Sequence, residues 1–191
     1  MSELTKRVIT SIILLTFFIL SLYINFLLSV LIISIFFQLF FEIFYLSKKI
    51  IKKKNYLYLF LFICLIYLFL LLLNIWQVLT GDNFDKKIFI LMIISICIAT
   101  DCGGYIFGKI FKGKKLTKIS PNKTYSGMIG SYILSYFLVT ILFYDYFNVG
   151  LIIILIFLVS TISQIGDLFI SFIKRKIKVK DTSSILPGHG G

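Results

Sequence analysis

Apolar residues run along this chain in long blocks separated by short polar or basic segments. Six blocks stand out, at 8–23, 26–46, 56–79, 88–107, 128–146 and 149–173. A helix needs about 20 predominantly apolar residues to cross a bilayer, and these blocks reach or approach that length. The pattern predicts an all-α, polytopic integral membrane helix bundle of about six transmembrane helices, forming one membrane domain over 1–191. A short segment around Asn25 is all that parts the first two blocks, so their boundary is the softest.

Composition sharpens that picture. Hydrophobic residues make up 59% of the chain and charged ones 15%, against roughly 25% charged in soluble domains. A soluble core could not hide this much Phe, Ile and Leu, which excludes a soluble globular protein. The basic start is followed by no small-residue cleavage site, so a cleavable signal is not expected. Cys64, Cys97 and Cys102 have neither metal-ligand spacing nor an even-numbered framework, and read as small hydrophobes.

The formal net charge of +12 is unevenly placed. If six helices alternate, 18 of the 20 lysines and arginines fall on one side, and only Lys86 and Lys87 fall opposite, near Asp82 and Asp85. The positive-inside rule then predicts cytoplasmic termini, basic cytoplasmic loops at 47–55 and 108–127, and a cytoplasmic tail at 174–191. Orientation and attraction to anionic headgroups account for the first of these loops. The second has structure of its own.

A carboxylate at membrane depth is costly and usually faces a cavity, a cation or a partner. Glu42, Asp101 and Asp167 lie within or at the ends of apolar blocks. Glu42 is placed to reach water or a nearby lysine. Asp167 belongs to a series, Ser160, Ser163, Gln164, Asp167, Ser171 and Lys174, spaced three or four residues apart. That spacing puts them on one helix face. Serine and glutamine there can be helix–helix glue. An aspartate followed by Lys174 and Arg175 points instead to the wall of a site at the cytoplasmic interface.

Asp101 opens a second polar segment that includes Gly104 and Gly108, a G-x-x-x-G step suited to close packing within the chain or in a homodimer. Lysines, hydroxyls and Ser120-Pro121-Asn122 follow, up to Lys123, Thr124 and Gly127. Such a loop suits phosphate, though it is not a Walker A loop. At the end of the chain, Pro187-Gly188-His189-Gly190-Gly191 either lets backbone approach a ligand closely or is a loose end.

Together these blocks resemble the integral-membrane phosphatidate cytidylyltransferases, or CDP-diacylglycerol synthases. The match is carried by Asp101-x-x-x-Tyr105-x-x-Gly108, by Ile119-Ser120-Pro121-x-Lys123-Thr124-x-x-Gly127, and by Ser163-Gln164-x-Gly166-Asp167-Leu168-x-x-Ser171-x-x-Lys174-Arg175. Lys180-Asp181 and the Pro187–Gly191 run complete it. The resemblance implies transfer of a cytidylyl group from CTP to phosphatidate, with Mg2+, in phospholipid biosynthesis at the cell (inner) membrane. It implies Asp167 as metal ligand and catalytic residue, Lys174 and Arg175 as catalytic phosphate-holding groups, and substrate binding by Asp101, Lys123, Thr124, Ser163, Ser171, Asp181 and His189. CTP, phosphatidate and the lipid bilayer are the implied partners, and nucleic acid is not among them.

Two departures accompany the match. Ser126 stands where the family usually has Glu. The chain ends at Gly191, before the Asp-Arg-x-Asp segment that in the family adds a carboxylate to the metal site. An incomplete copy, a remainder supplied separately and a product without activity are all compatible with that ending. A non-catalytic binder of CTP or a partner is therefore the alternative reading. A small transporter using Asp101 and Asp167 is a further one, opposed by the apolar stretch 149–159.

Overall fold

The computed structural model describes residues 3–117, 120 and 122–179. Among them six helices follow in order: α1 (Glu3–Tyr23), α2 (Asn25–Ile50), α3 (Lys54–Thr80), α4 (Phe84–Phe111), α5 (Tyr125–Phe143) and α6 (Val149–Lys176). Five of them, α2 to α6, are long and apolar enough to cross a membrane; the apolar part of α1, Ile9–Tyr23, is shorter. The chain is thus a multi-pass membrane helix protein. Large apolar side chains such as Ile63, Phe137 and Ile154 are more than half exposed, the surface expected of helices solvated by lipid.

The helix boundaries follow local chemistry. Ile24 alone, in extended conformation, parts α1 from α2, next to the expected break at Asn25. The basic segments are shorter than the sequence suggests because helices grow into them: α2 runs on to Ile50 and α4 to Phe111. Helix α4 ends where Lys112 turns left-handed, at φ 44°, and its N–H still reaches the Gly108 carbonyl at 3.2 Å. Asn148 starts α6, its Oδ1 accepting the Leu151 N–H at 2.9 Å, the usual duty of an N-cap side chain.

The chain divides into two compact units, Met1–Asn83 with Lys174–Gly191, and Phe84–Ile173. In the first, α2 packs on both α1 and α3. Trp76 Nε1 donates to Ser29 Oγ at 3.0 Å, and a cavity of 430 Å³ beside this pair is lined by Phe36, Phe37, Phe69 and neighbouring aliphatic residues. Also in this unit, Lys174 Nζ lies 3.8 Å from Glu42 Oε1. A lysine does serve Glu42, and it comes from the basic cluster that follows the sixth apolar block.

The second unit carries the densest packing. Met92, Ile96, Val139, Phe143, Ile152 and Ile156 from α4, α5 and α6 form one buried apolar cluster. Beyond it, α4 and α5 pack through glycines: a Cβ on Gly103 would fall 2.6 Å from the Gly130 carbonyl oxygen, and one on Gly127 would fall 2.7 Å from that of Gly104. Gly104 and Gly108 also face Ser131 and Thr124, at 3.0 and 3.2 Å from an added Cβ. The G-x-x-x-G step is therefore used for packing inside the chain.

Candidate functional site

Three layers succeed one another along the helices of the second unit. The apolar cluster is the first. Next comes a layer of buried hydroxyls. Thr100 Oγ1 shares hydrogen bonds with Ser160 Oγ at 2.7 Å and Ser135 Oγ at 3.1 Å. Ser131 Oγ lies within reach of the Thr100 carbonyl at 2.7 Å and the Gly127 carbonyl at 3.1 Å, and can donate to either. All four side chains are at most 2% exposed. Buried hydroxyls in an apolar medium are tolerated when they bond one another, and these tie α4, α5 and α6 together at one level. Tyr132 and Thr161 add a direct α5–α6 link at 2.9 Å.

Charge forms the third layer. Asp167 follows Ser160 by seven residues, two turns along α6, and its carboxylate pairs with the Lys123 ammonium. The Asp167 side chain is 59% exposed and that of Lys123 26%, so the pair is open to a ligand. Asp101, next to Thr100 on α4, is exposed and within electrostatic range of both Asp167 and Lys123. Residues from α4, the segment before α5, and α6 thus converge on one side of this unit.

The segment between α4 and α5 is held by its backbone. Leu116 N–H donates to the Lys123 carbonyl at 2.7 Å and Tyr125 N–H to the Lys114 carbonyl at 3.0 Å, around a bridge between Lys115 and Thr124. Thr124 is the N-cap of α5, its hydroxyl accepting the Gly127 N–H at 3.1 Å. Ser126 Oγ accepts the Gly113 N–H at 3.2 Å and shares a hydrogen bond of 3.0 Å with Thr124. The serine at the departure position therefore fastens the loop through hydrogen bonds.

The expected site residues are placed unequally. Asp101, Lys123, Thr124, Ser163, Asp167 and Ser171 all belong to the second unit, where Lys123 and Asp167 meet. Lys174 and Arg175 continue α6 beyond Asp167, with Lys174 next to Glu42. Asp181 and His189 lie outside the described residues. Among the described residues no group of three or more His, Cys, Asp or Glu side chains is placed to hold a metal. The donor chemistry at Asp167 nevertheless fits magnesium, which is commonly bound by one or two carboxylates together with substrate phosphates. Thr100, Ser131 and Ser135 escaped the sequence reading. Their signal was a row of small residues four apart on α5, Gly127, Ser131 and Ser135, a pattern of close helix packing in membranes.

Comparison with known proteins gives this geometry a context. No solved structure matches the chain. Phosphatidate cytidylyltransferase of Staphylococcus saprophyticus is 44% identical over 108 residues, 54% of this chain and 41% of the relative. That of Staphylococcus haemolyticus is 42% identical over 107 residues, again 54% and 41%. That of Rickettsia conorii is 40% identical over 114 residues, 53% of this chain and 49% of the relative. These matches thus span less than half the length of these curated relatives. The model of the cytidylyltransferase family matches residues 4–191, and the chain belongs to that family.

Proposed function

We propose that this chain carries the nucleotide-handling part of a phosphatidate cytidylyltransferase, acting at the cytoplasmic face of the cell membrane with both termini cytoplasmic. The observation that carries the reading is the convergence of Asp101, Lys123 and Asp167 above a closed hydroxyl layer. Family membership and the three curated relatives support it. Basic residues at 48–54, 109–123 and 174–180 supply the positive cytoplasmic side.

In the reaction a phosphate oxygen of phosphatidate attacks the α-phosphorus of CTP. A new P–O bond forms, the bond between the α-phosphorus and its bridging oxygen breaks, and pyrophosphate leaves with the electron pair. Catalysis of such transfers is mostly positioning and charge neutralisation. Bound magnesium supplies charge neutralisation on the phosphates, and Asp167 is the residue that would hold it. Lys123 would give up its partner Asp167 and turn to a phosphate. Lys174 and Arg175 would bind phosphate at the headgroup level, and Asp101 would shape the nucleotide site. Lipid substrate reaches this level from the bilayer and CTP from the cytosol.

Pyrophosphate release by the purified chain in lipid, with CTP, phosphatidate and Mg2+, tests the proposal. The expected result is release that needs all three and is lost in Asp167→Asn. CTP binding without release would support the non-catalytic reading. Ordinary turnover by Asp167→Asn would sink the site assignment.

A further inference from the structure

Resting on the nucleotide reading above, we infer that Gln164 binds the base of the nucleotide through its side-chain amide. Gln164 sits on the polar face of α6, one turn from Ser160 and one turn from Asp167. Its neighbours on that face are provided for: Ser160 shares a hydrogen bond with Thr100, and Asp167 pairs with Lys123. Gln164 Nε2 is buried and has no hydrogen-bond partner among the described residues. A buried donor left unpaired is costly, so an acceptor brought by a ligand gains there what the protein does not supply.

Thr140 Oγ1 is also buried without a partner. It stands beside Val139 of the apolar cluster, away from the charged layer, which makes it a control for the orphaned state itself.

The order of charge along the unit selects the base over the phosphates. Lys123 marks the charged end, where it pairs with Asp167. Gln164 is displaced from Asp167 toward the hydroxyl layer, where the groups are neutral apart from Asp101. A triphosphate loses most by moving into that apolar surrounding, and the Asp101 carboxylate repels it. A pyrimidine base is neutral. Cytosine offers ring nitrogen and carbonyl acceptors to an amide N–H, and an amino group that a glutamine oxygen or a carboxylate accepts. The Gln164 amide, with both an N–H and an oxygen, matches that edge.

The test is equilibrium binding of radiolabelled CTP to the full 191-residue chain in lipid nanodiscs with Mg2+, alongside displacement by inorganic tripolyphosphate, which lacks the base. Gln164→Leu is expected to weaken CTP at least tenfold and to leave tripolyphosphate unchanged, and Gln164→Glu, which adds a charge, to weaken CTP more than tripolyphosphate. Thr140→Val is expected to change neither. Two substitutions of different polarity guard against a folding defect, which size-exclusion chromatography detects. Equal loss for CTP and tripolyphosphate would put the amide on a phosphate and overturn the base assignment. Unchanged CTP affinity in both variants would remove Gln164 from the site. Failure of the parent chain to bind CTP at all would overturn the nucleotide reading and this inference with it.

Discussion

The Lys123 ammonium pairs with the Asp167 carboxylate, fastening the segment that leads into α5 to the polar face of α6. An open ion pair of this kind contributes within about 1 kcal/mol to stability, so its residues are free to serve a ligand. Asp167→Asn is expected to unfold within a few degrees of the parent yet lose pyrophosphate release by at least about 100-fold, the size of effect seen when one charge-stabilising group is removed from an active site. Lys123→Ala is expected to raise the KM for CTP, with Lys123→Arg recovering part of it. Steady-state kinetics with thermal unfolding in the same detergent checks both.

Thr100 joins α4 to α5 and α6 through a single hydroxyl. Thr100→Val keeps the shape and removes that hydroxyl, leaving Ser135 and Ser160 without their shared partner. The expected cost is about 1–2 kcal/mol, the upper range for interhelical hydrogen bonds in membranes. Thr100→Ser should restore most of it. Unfolding midpoints for the three proteins decide the matter.

The glycines of the second unit divide by surroundings. A Cβ on Gly130 would overlap Phe107, and one on Gly103 would fall 2.6 Å from a backbone carbonyl oxygen. Gly103→Ala and Gly130→Ala should each destabilise by about 1–3 kcal/mol through overpacking. Gly166 meets nothing within 4 Å. Gly166→Ala should be neutral or stabilising, by up to about 1 kcal/mol, as for alanine in a helix interior. If Gly166→Ala keeps its stability but loses CTP binding, the space beside it belongs to the ligand.

Ser126 accepts the Gly113 N–H at 3.2 Å and is linked to Thr124 at the start of α5. Removing the hydroxyl in Ser126→Ala frees that amide. Its hydrogen exchange should accelerate by about fivefold to tenfold, matching roughly 1 kcal/mol for one hydrogen bond, while amides in the middle of α5 stay unchanged. Ser126→Glu, which brings the residue usual in the family, should slow the exchange again if the longer acceptor reaches Gly113.

Much of this architecture was readable in the chain because lipid leaves so few options. Each apolar block became a helix, and the break near Asn25 fell at Ile24. Among the described residues the apolar stretch of α1, Ile9–Tyr23, is shorter than those of the other five helices. The meeting of Lys123 with Asp167 needed the fold, because the two are 44 positions apart in sequence. The hydroxyl layer was hidden for a different reason. Serine and threonine inside apolar runs can satisfy themselves on their own helix, as Ser95 does on the Leu91 carbonyl at 2.8 Å. Only the arrangement of three helices turns Thr100, Ser135 and Ser160 into one network.

The apolar cluster of the second unit also has an electrical meaning. Met92, Ile96, Val139 and Ile152 show no accessible surface at all, so the unit contains a plug of low permittivity beyond its hydroxyl layer. Moving an ion through such a plug is prohibitive without a polar lining. Liposomes bearing this chain should therefore sustain a potassium diffusion potential as long as empty ones, with CTP present or absent. A nucleotide-dependent leak would mean that the plug opens. As built, the charged end of the unit is a socket with an insulated back.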